Sequence, residues 1–462
     1  MSVLRRWSGK RVVILGAARQ GIALARYLIQ QGASVVVSDL RNWEDLADAR
    51  QALSDLEGSG RGSLEWVCAG HPLELLESID LLCPSGGVPL DQPVVTQAIK
   101  RGIALSNDSQ IFLEVTPAQV IGITGSAGKT TTTTLVGRMA QAATRNNQAH
   151  AWTGGNIGSP LISVVEQMKP GDLAVMELSS FQLEIMTRSP QVAAVLNITP
   201  NHLDRHSSMQ AYTAAKARIL AYQPGDGAAV LGRDDPGAWD LKDGVRGKLV
   251  TFGEQPWSAL PGTYLKNGKI ILWDGVAEAV LMEQSSIGLR GLHNLLNVLA
   301  ACAIAFAAGL PVEAMQAGVE GFSGVPHRLE FVRSWGGASW YNDSIATAPE
   351  RSMAAIRSFD EPLVLLAGGR DKNLPWGDFA RLVLERVDHV ILFGEAAEKI
   401  AGVLGSAQTL TVCSKLEQAV TAAARVVRPG DVVLLSPGGT SFDEFSDFEE
   451  RGECFRRLVM QL

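Results

Sequence analysis

A chain of 462 residues is long enough for about three domains of ordinary size. With 46% hydrophobic and 19% charged residues it has the composition of a folded globular protein, which excludes disorder on a large scale. Lys+Arg 41 against Asp+Glu 48 leaves a net charge of −7, so neither a nucleic-acid-coating surface nor a polybasic membrane anchor is supported.

The first predicted strand, Arg11–Leu15, runs into Gly16-Ala17-Ala18-Arg19-Gln20-Gly21, then an apolar helix to Gly32 and a second strand, Ser34–Ser38, ending beside Asp39. This is the start of a βαβ nucleotide-binding unit, because glycine permits the tight turn and a helix N-terminus attracts phosphate. The middle glycine of GxGxxG is missing, and on this segment alone a plain strand-to-helix turn reads equally well. Arg5 and Arg6 precede only the short apolar run 12–15, so no signal-peptide core is expected and the location expected is the cytoplasm. A strand over 79–83 leads to the loop Ser85-Gly86-Gly87, and a domain boundary is expected near Val115-Thr116-Pro117.

The next strand, 120–124, enters Gly122-Ile-Thr-Gly125-Ser-Ala-Gly128-Lys129-Thr130 and a helix follows. Backbone N–H groups of such a loop cradle phosphates, the lysine neutralises their charge and the threonine hydroxyl can ligate Mg²⁺. Strict GxxxxGK[ST] spacing would need glycine at 123, where Ile123 stands, but the GKT core in this context predicts nucleoside-triphosphate binding. Segments 144–150 and 225–247 are polar and turn-rich and read as loops or insertions. A strand over 173–178 carries Glu177 at the end that faces the ligand crevice of an α/β sheet, which makes it a candidate Mg²⁺ ligand. The strand 192–198 runs into Asn197-Ile-Thr-Pro-Asn-His202-Leu-Asp204-Arg205-His206, bringing further metal-capable groups to the same edge.

The longest apolar run, 298–308, falls short of the roughly 18 residues a membrane span needs and reads as a buried helix. A second boundary is expected near Ser323-Gly324-Val325-Pro326, followed by strands over 363–367, 390–393 and 432–435. Lys372 stands at the ligand edge after Gly368-Gly369-Arg370-Asp371. Ser441-Phe-Asp-Glu444 has the spacing of a capping box and is expected to open a helix. The five cysteines are odd in number and too widely spaced for a metal site, so they read as reduced thiols. Short apolar strands alternating with helices throughout give an α/β fold class with three domains, 1–115, 116–323 and 324–462.

Several of these segments, together and in order, resemble the Mur ligases: the phosphate loop, Glu177-Leu-Ser-Ser-Phe-Gln-Leu-Glu184, His202-Leu-Asp-Arg205, Ala214-Ala-Lys216-Ala-Arg218, His293-Asn294-Leu-Leu-Asn297 and Pro326-His-Arg328. The likeness covers residues 11–458. The Glu177–Glu184 segment and the stretch 435–452 are most similar to the members that add D-glutamate.

That resemblance implies a Rossmann-like N-terminal domain, a P-loop ATPase-like central domain and a Rossmann-like C-terminal domain. It implies an ATP-dependent, Mg²⁺-assisted ligase acting on UDP-N-acetylmuramoyl-L-alanine and D-glutamate in peptidoglycan synthesis, hence in cell wall biogenesis and division, as a monomer. By resemblance the UDP end meets Gly16, Asp39, Arg41, Ser85 and Gly86. ATP meets Gly125, Gly128, Lys129, Thr130, Asn156, Asn294, Asn297, Arg328 and Asp343. D-glutamate meets Lys372, Ser441 and Phe448. Mg²⁺ is implied at Thr130, Glu177, His202 and Lys216, the last as a carbamate, and Lys129, His202, Lys216 and Arg328 are implied in catalysis. Where these members commonly carry a lysine the chain has Ile345; Lys129, Arg328 and Mg²⁺ are expected to suffice, with Arg351 as the alternative cation. Another ligase of this superfamily, folylpolyglutamate synthase-like for example, is the nearest rival. A nucleotide-dependent switch and a Rossmann oxidoreductase are the rivals from other classes.

Overall fold

The computed structural model describes residues 6–56, 60–145, 148–201, 205–289, 291–372, 374–405 and 409–462. The chain divides into two compact units, Met1–Ile287 with Leu292–Glu320, and Gly288–Gly291 with Gly321–Leu462.

The first unit holds two sheets. The N-terminal one contains β1 (Arg11–Leu15), β2 (Ser34–Ser38), β3 (Ser63–Val67), β4 (Leu81–Pro84) and β5 (Ala104–Leu105) in the order β3-β2-β1-β4-β5, all parallel. The order reverses direction at β1, so the crevice beside its C-terminal end is where a ligand fits such a sheet. The central sheet contains β6 (Gln119–Thr124), β7 (Ala151–Gly155), β8 (Leu173–Glu177), β9 (Val192–Val195), β10 (Ala228–Gly232), β11 (Lys248–Phe252), β12 (Gly262–Lys266), β13 (Lys269–Trp273) and β14 (Glu278–Glu283). Its order is β14-β13-β12-β11-β10-β9-β6-β8-β7, with the last hairpins antiparallel. One continuous apolar core runs from Val12 and Ile14 through Ile111 and Phe112 to Val165, Ala193 and Ile219, which is why these two sheets form one unit.

The second unit is built on β15 (Glu330–Trp335), β16 (Ala338–Asn342), β17 (Leu363–Gly368), β18 (His389–Phe393), β19 (Leu410–Val412) and β20 (Val432–Gly438) in the order β15-β16-β20-β17-β18-β19. Its sheet carries a separate core on each face, one around Phe379 and Ile400, the other around Trp340 and Phe455.

The predicted strands recur with their ends moved by a few residues. Strand 192–198 is shortened to Val192–Val195, since Asn197 turns back to the phosphate loop instead of pairing. The segment 225–247, read as a loop or insertion, is not irregular throughout: between its turns it contains β10, paired with both β9 and β11, and the short helix Pro236–Trp239. Ala228–Gly232 is only five residues long, and the polar residues around it hide so short an apolar run from a composition average. All but the last residue of the apolar run 298–308 lies in the helix Leu292–Ala307, whose residues from 297 to 305 are buried, Asn297 among them where it reaches the phosphate loop.

Candidate active site

The phosphate loop joins β6 to the helix Lys129–Thr144. Gly128 caps that helix at φ +79°, a conformation open to glycine, and a Cβ there would stand 2.2 Å from Oδ1 of Asn297. The loop is therefore braced from the helix Leu292–Ala307: Asn297 accepts from Thr132 Oγ1 at 3.4 Å and donates to Asn294 Oδ1 at 3.2 Å. Asn197, from the end of β9, fixes the other side, accepting from Ala127 N at 2.8 Å and donating to its carbonyl at 3.1 Å. Gly128→Ala is expected to strain the backbone and displace Asn297 together, destabilising the first unit by about 1–3 kcal/mol, seen as a lower midpoint of thermal unfolding.

Two lysines meet at this loop. Lys129 donates to Gly125 O at 2.8 Å, and Lys216, from the helix Met209–Ala221, donates to the same carbonyl at 2.9 Å. Without its family context, the Ala-Ala-Lys-Ala-Arg segment reads as solvated helix, yet Lys216 is only 1% exposed. Burial, reinforced by the positive charge of Lys129 and opposed by Glu177, pushes its amine down to about 7.

Glu177 ends β8 as expected from the sequence, 1% exposed. Asn156 donates to its Oε1 at 2.8 Å, while its Oε2 is buried with no hydrogen-bond partner among the described residues. A buried carboxylate oxygen left without a donor fits a cation ligand better than a structural one. Thr130 lies half-buried in the first turn of the helix. His202 lies outside the described residues, and among those described no group of three or more His, Cys, Asp or Glu could hold a metal.

At the N-terminal sheet, Gly16 takes φ +94°, and a Cβ on Gly21 would stand 2.0 Å from Gly16 O, so this turn requires both glycines. Asp39 accepts from Ala17 N at 2.7 Å and from Arg41 N, Nε and Nη2, each at 2.9 Å. Burial alone would raise the Asp39 carboxyl, but the Arg41 guanidinium and these N–H groups hold it well below the usual carboxylate range. Ser85 Oγ donates to Gly16 O at 3.2 Å, and Gly86 follows in the same loop. The structure thus brings Gly16, Asp39, Arg41, Ser85 and Gly86 together.

In the second unit, Asp343 is buried between Leu329 N, 3.2 Å from Oδ1, and Ser436 Oγ, 2.8 Å from Oδ2. Burial raises its carboxyl to about 7 against the pull of these bonds and of Arg328 and Arg351. Arg328 is half-buried, flanked by His327 at φ +63° and Leu329 at φ +42°. Arg351 Nη1 donates to Ile345 O at 3.3 Å, which sets a cation beside the position where the lysine is missing. Lys372 is exposed, and Phe448 is half-buried against the edge of His327.

Ser441 does not open a helix. Its carbonyl accepts from Glu444 N and Phe445 N in turns that go no further, and Glu444 Oε2 is engaged by Leu416 N at 3.1 Å. The helix Phe448–Gln461 begins at Asp447, which accepts from Glu450 N at 2.7 Å, while Glu450 Oε2 takes Ser446 N and Oγ. Two cap sequences, Ser441 with Glu444 and Asp447 with Glu450, compete for one helix start, and the second prevails because Glu444 is held by another segment. Sequence reasoning also missed the brace from Tyr212, whose hydroxyl lies 3.0 Å from Ser126 Oγ; only its place four residues before Lys216 marks it.

Three models of known domains match the chain: "Mur ligase MurD-like, N-terminal domain" over residues 10–107, "Mur ligase middle domain" over 123–305 and "Mur ligase, glutamate ligase domain" over 327–439. UDP-N-acetylmuramoylalanine--D-glutamate ligase of Pelotomaculum thermopropionicum is 40% identical over 464 residues, spanning 100% of this chain and 99% of that protein. The enzyme of the same name from Symbiobacterium thermophilum is 39% identical over 460 residues, 98% of each. Among solved structures, UDP-N-acetylmuramate-alanine ligase MurC of Thermotoga maritima superposes with a TM-score of 0.57 at 18% identity, covering 98% of this chain and 99% of that one. MurF ligase of Thermotoga maritima in complex with ADP gives 0.56 at 19% identity over 100% of both chains. These two share the fold, and the full-length identity to the D-glutamate ligases goes further. With its phosphate loop, buried strand-end glutamate and all three domain matches in order, the chain belongs to the Mur ligase family.

Proposed function

We propose that the chain is an ATP-dependent ligase that joins D-glutamate to the alanyl carboxylate of UDP-N-acetylmuramoyl-L-alanine in peptidoglycan precursor synthesis. The observation that carries this reading is identity of 40% and 39%, over essentially the whole length, to two enzymes named for that reaction. Residues 1–115 bind the UDP substrate, 116–323 bind ATP and 324–462 bind the amino acid.

A carboxylate oxygen is a poor leaving group, so ATP first phosphorylates it, giving an acyl phosphate and ADP. The D-glutamate amine, deprotonated, then attacks the acyl carbon and expels inorganic phosphate. Lys129 and Arg328 spread the charge that develops on the transferred phosphoryl group, the usual source of rate in such transfers. Mg²⁺, held by Thr130, Glu177, His202 and Lys216 as its carbamate, would neutralise more of that charge when bound. Asn156 keeps Glu177 oriented by its bond to Oε1. Asn294 and Asn297 bound the adenine side, and Asp343 the ribose. Lys372 and Ser441 divide the two carboxylates of D-glutamate, with Phe448 beside them. Here the hydroxyl and main chain of Ser441 act without a helix dipole behind them. His202 is the candidate acceptor for the amine proton. Lys129, Arg328 and Mg²⁺ suffice for the phosphates, although Arg351 lies near enough to Ile345 to add to them.

No helix among the described residues is long and apolar enough to cross a membrane. A monomer in the cytoplasm, serving cell wall growth and hence cell shape and division, completes the reading.

Phosphate release from ATP should require the UDP-muramyl acid and an amino acid together, and in a panel of amino acids D-glutamate should be preferred at least tenfold. Release without an acceptor, or preference for a basic amino acid, would overturn the assignment.

A further inference from the structure

An unbroken series of contacts runs within the first unit from the N-terminal sheet to the phosphate loop, and Arg205 stands at its joint. Arg205 is exposed, and its Nη1 donates to the carbonyl of Gly87, in the loop after β4, at 3.3 Å. The guanidinium carbon lies 4.7 Å from the centroid of the Phe181 ring. Phe181, in the helix Ser180–Leu183 just beyond β8, stacks on His206 with centroids 5.3 Å apart and planes 5° apart. His206 is buried, its Nε2 3.0 Å from Ser180 Oγ, and its ring lies 5.2 Å from Tyr212. Tyr212 reaches Ser126 of the phosphate loop at 3.0 Å. On the other side, Ser85 is bonded to the Gly16 turn, and a Cβ on Gly86 would be 3.9 Å from Phe181 Cβ.

A guanidinium can do two things at once that an ammonium cannot: lie flat on an aromatic face and donate in its own plane to a carbonyl. From this geometry we infer that Arg205 is a positioning residue, which fixes the 85–87 loop to the Phe181–His206 column and so presets the sugar-nucleotide turn relative to the phosphate loop. This rests on the functional reading above only in naming UDP as the nucleotide. Arg205 acts through main chain and ring and does not itself touch the substrate, so its effect falls on everything the loop and the Gly16 turn hold, including the UDP portion alone.

The experiment is calorimetric titration of the full chain with UDP and with UDP-N-acetylmuramoyl-L-alanine, for wild type, Arg205→Gln, Arg205→Lys, Phe181→Leu and the double variant Arg205→Gln/Phe181→Leu. Arg205→Gln is expected to weaken both ligands by about five- to tenfold, with the KM for ATP within about twofold and the thermal midpoint unchanged, as for an exposed cation–π and hydrogen-bond contact. Arg205→Lys should restore little of this. The double variant should bind no more weakly than the poorer single, since coupled contacts are not additive. Unchanged UDP affinity in Arg205→Gln, or strictly additive losses, overturns the inference; a loss for the full substrate alone does too, because it would make Arg205 a direct ligand of the acyl part. If Phe181→Leu does not fold, the Arg205 variants with UDP decide alone. Failure of the wild type to bind either UDP compound would instead bring down the functional reading, and this inference with it.

Discussion

Replacing Lys216 by alanine is expected to lower kcat/KM by about two to three orders of magnitude, on the order of 3–4 kcal/mol in barrier, and wild-type activity should fall in CO₂-depleted buffer and recover with bicarbonate. Carbamate formation joins a neutral amine to CO₂ and releases a proton, so its rate follows the fraction of amine that is unprotonated. An ordinary lysine, with a pKa of about 10.4, offers less than about a thousandth of its population in that form at pH 7. Lys216 is 1% exposed and faces Lys129, and its amine is pushed down to about 7, so a far larger share is available. The product carries a negative charge and so exchanges the repulsion between Lys216 and Lys129 for attraction. Steady-state rates with and without bicarbonate decide the matter. Indifference to bicarbonate, together with near-normal activity of Lys216→Ala, would show that the residue only pins Gly125 through the 2.9 Å bond it makes as an amine.

A second large effect is expected at Glu177. Glu177→Gln preserves the volume and an Oε1 acceptor for Asn156 but removes the charge on the carboxylate that leaves Oε2 buried without a partner. We expect kcat to drop at least about a hundredfold, consistent with loss of a group that stabilises transition-state charge, and the Mg²⁺ concentration needed for half-activity to rise about tenfold. Stability should move the opposite way. A buried carboxylate whose Oε2 has no hydrogen-bond donor is costly to fold around, so in metal-free buffer the variant should unfold at the same temperature as the wild type or higher. A clear fall in the melting temperature, with a Mg²⁺ requirement unchanged, would make Glu177 a structural residue and leave the metal site to be sought elsewhere.

Much of this arrangement is local, and the local part is legible. Strands buried on both faces must be apolar along their length, so β1, β2, β8 and β17 stand out without any knowledge of their neighbours. The GKT core marks the phosphate loop because only a glycine-rich strand-to-helix turn can present its N–H groups inward, and Glu177 can be placed because the carboxyl ends of parallel strands share one edge. β10 escaped, since five residues carry too little periodicity to be seen beside a polar stretch of similar length.

What only the tertiary structure decided depends on residues distant in sequence. Lys216 is buried because the carbonyl it meets belongs to Gly125, 91 positions earlier. The helix after Ser441 starts late because Glu444 is bonded to Leu416, 28 positions away, leaving Asp447 to cap it. Asn297 becomes part of the phosphate loop because Gly128 has no Cβ to keep it out. Side-chain type and turn chemistry determine which segments can form a strand, a helix or a phosphate loop, while burial, and with it the charge state of a lysine, is set by packing between segments that no local window contains.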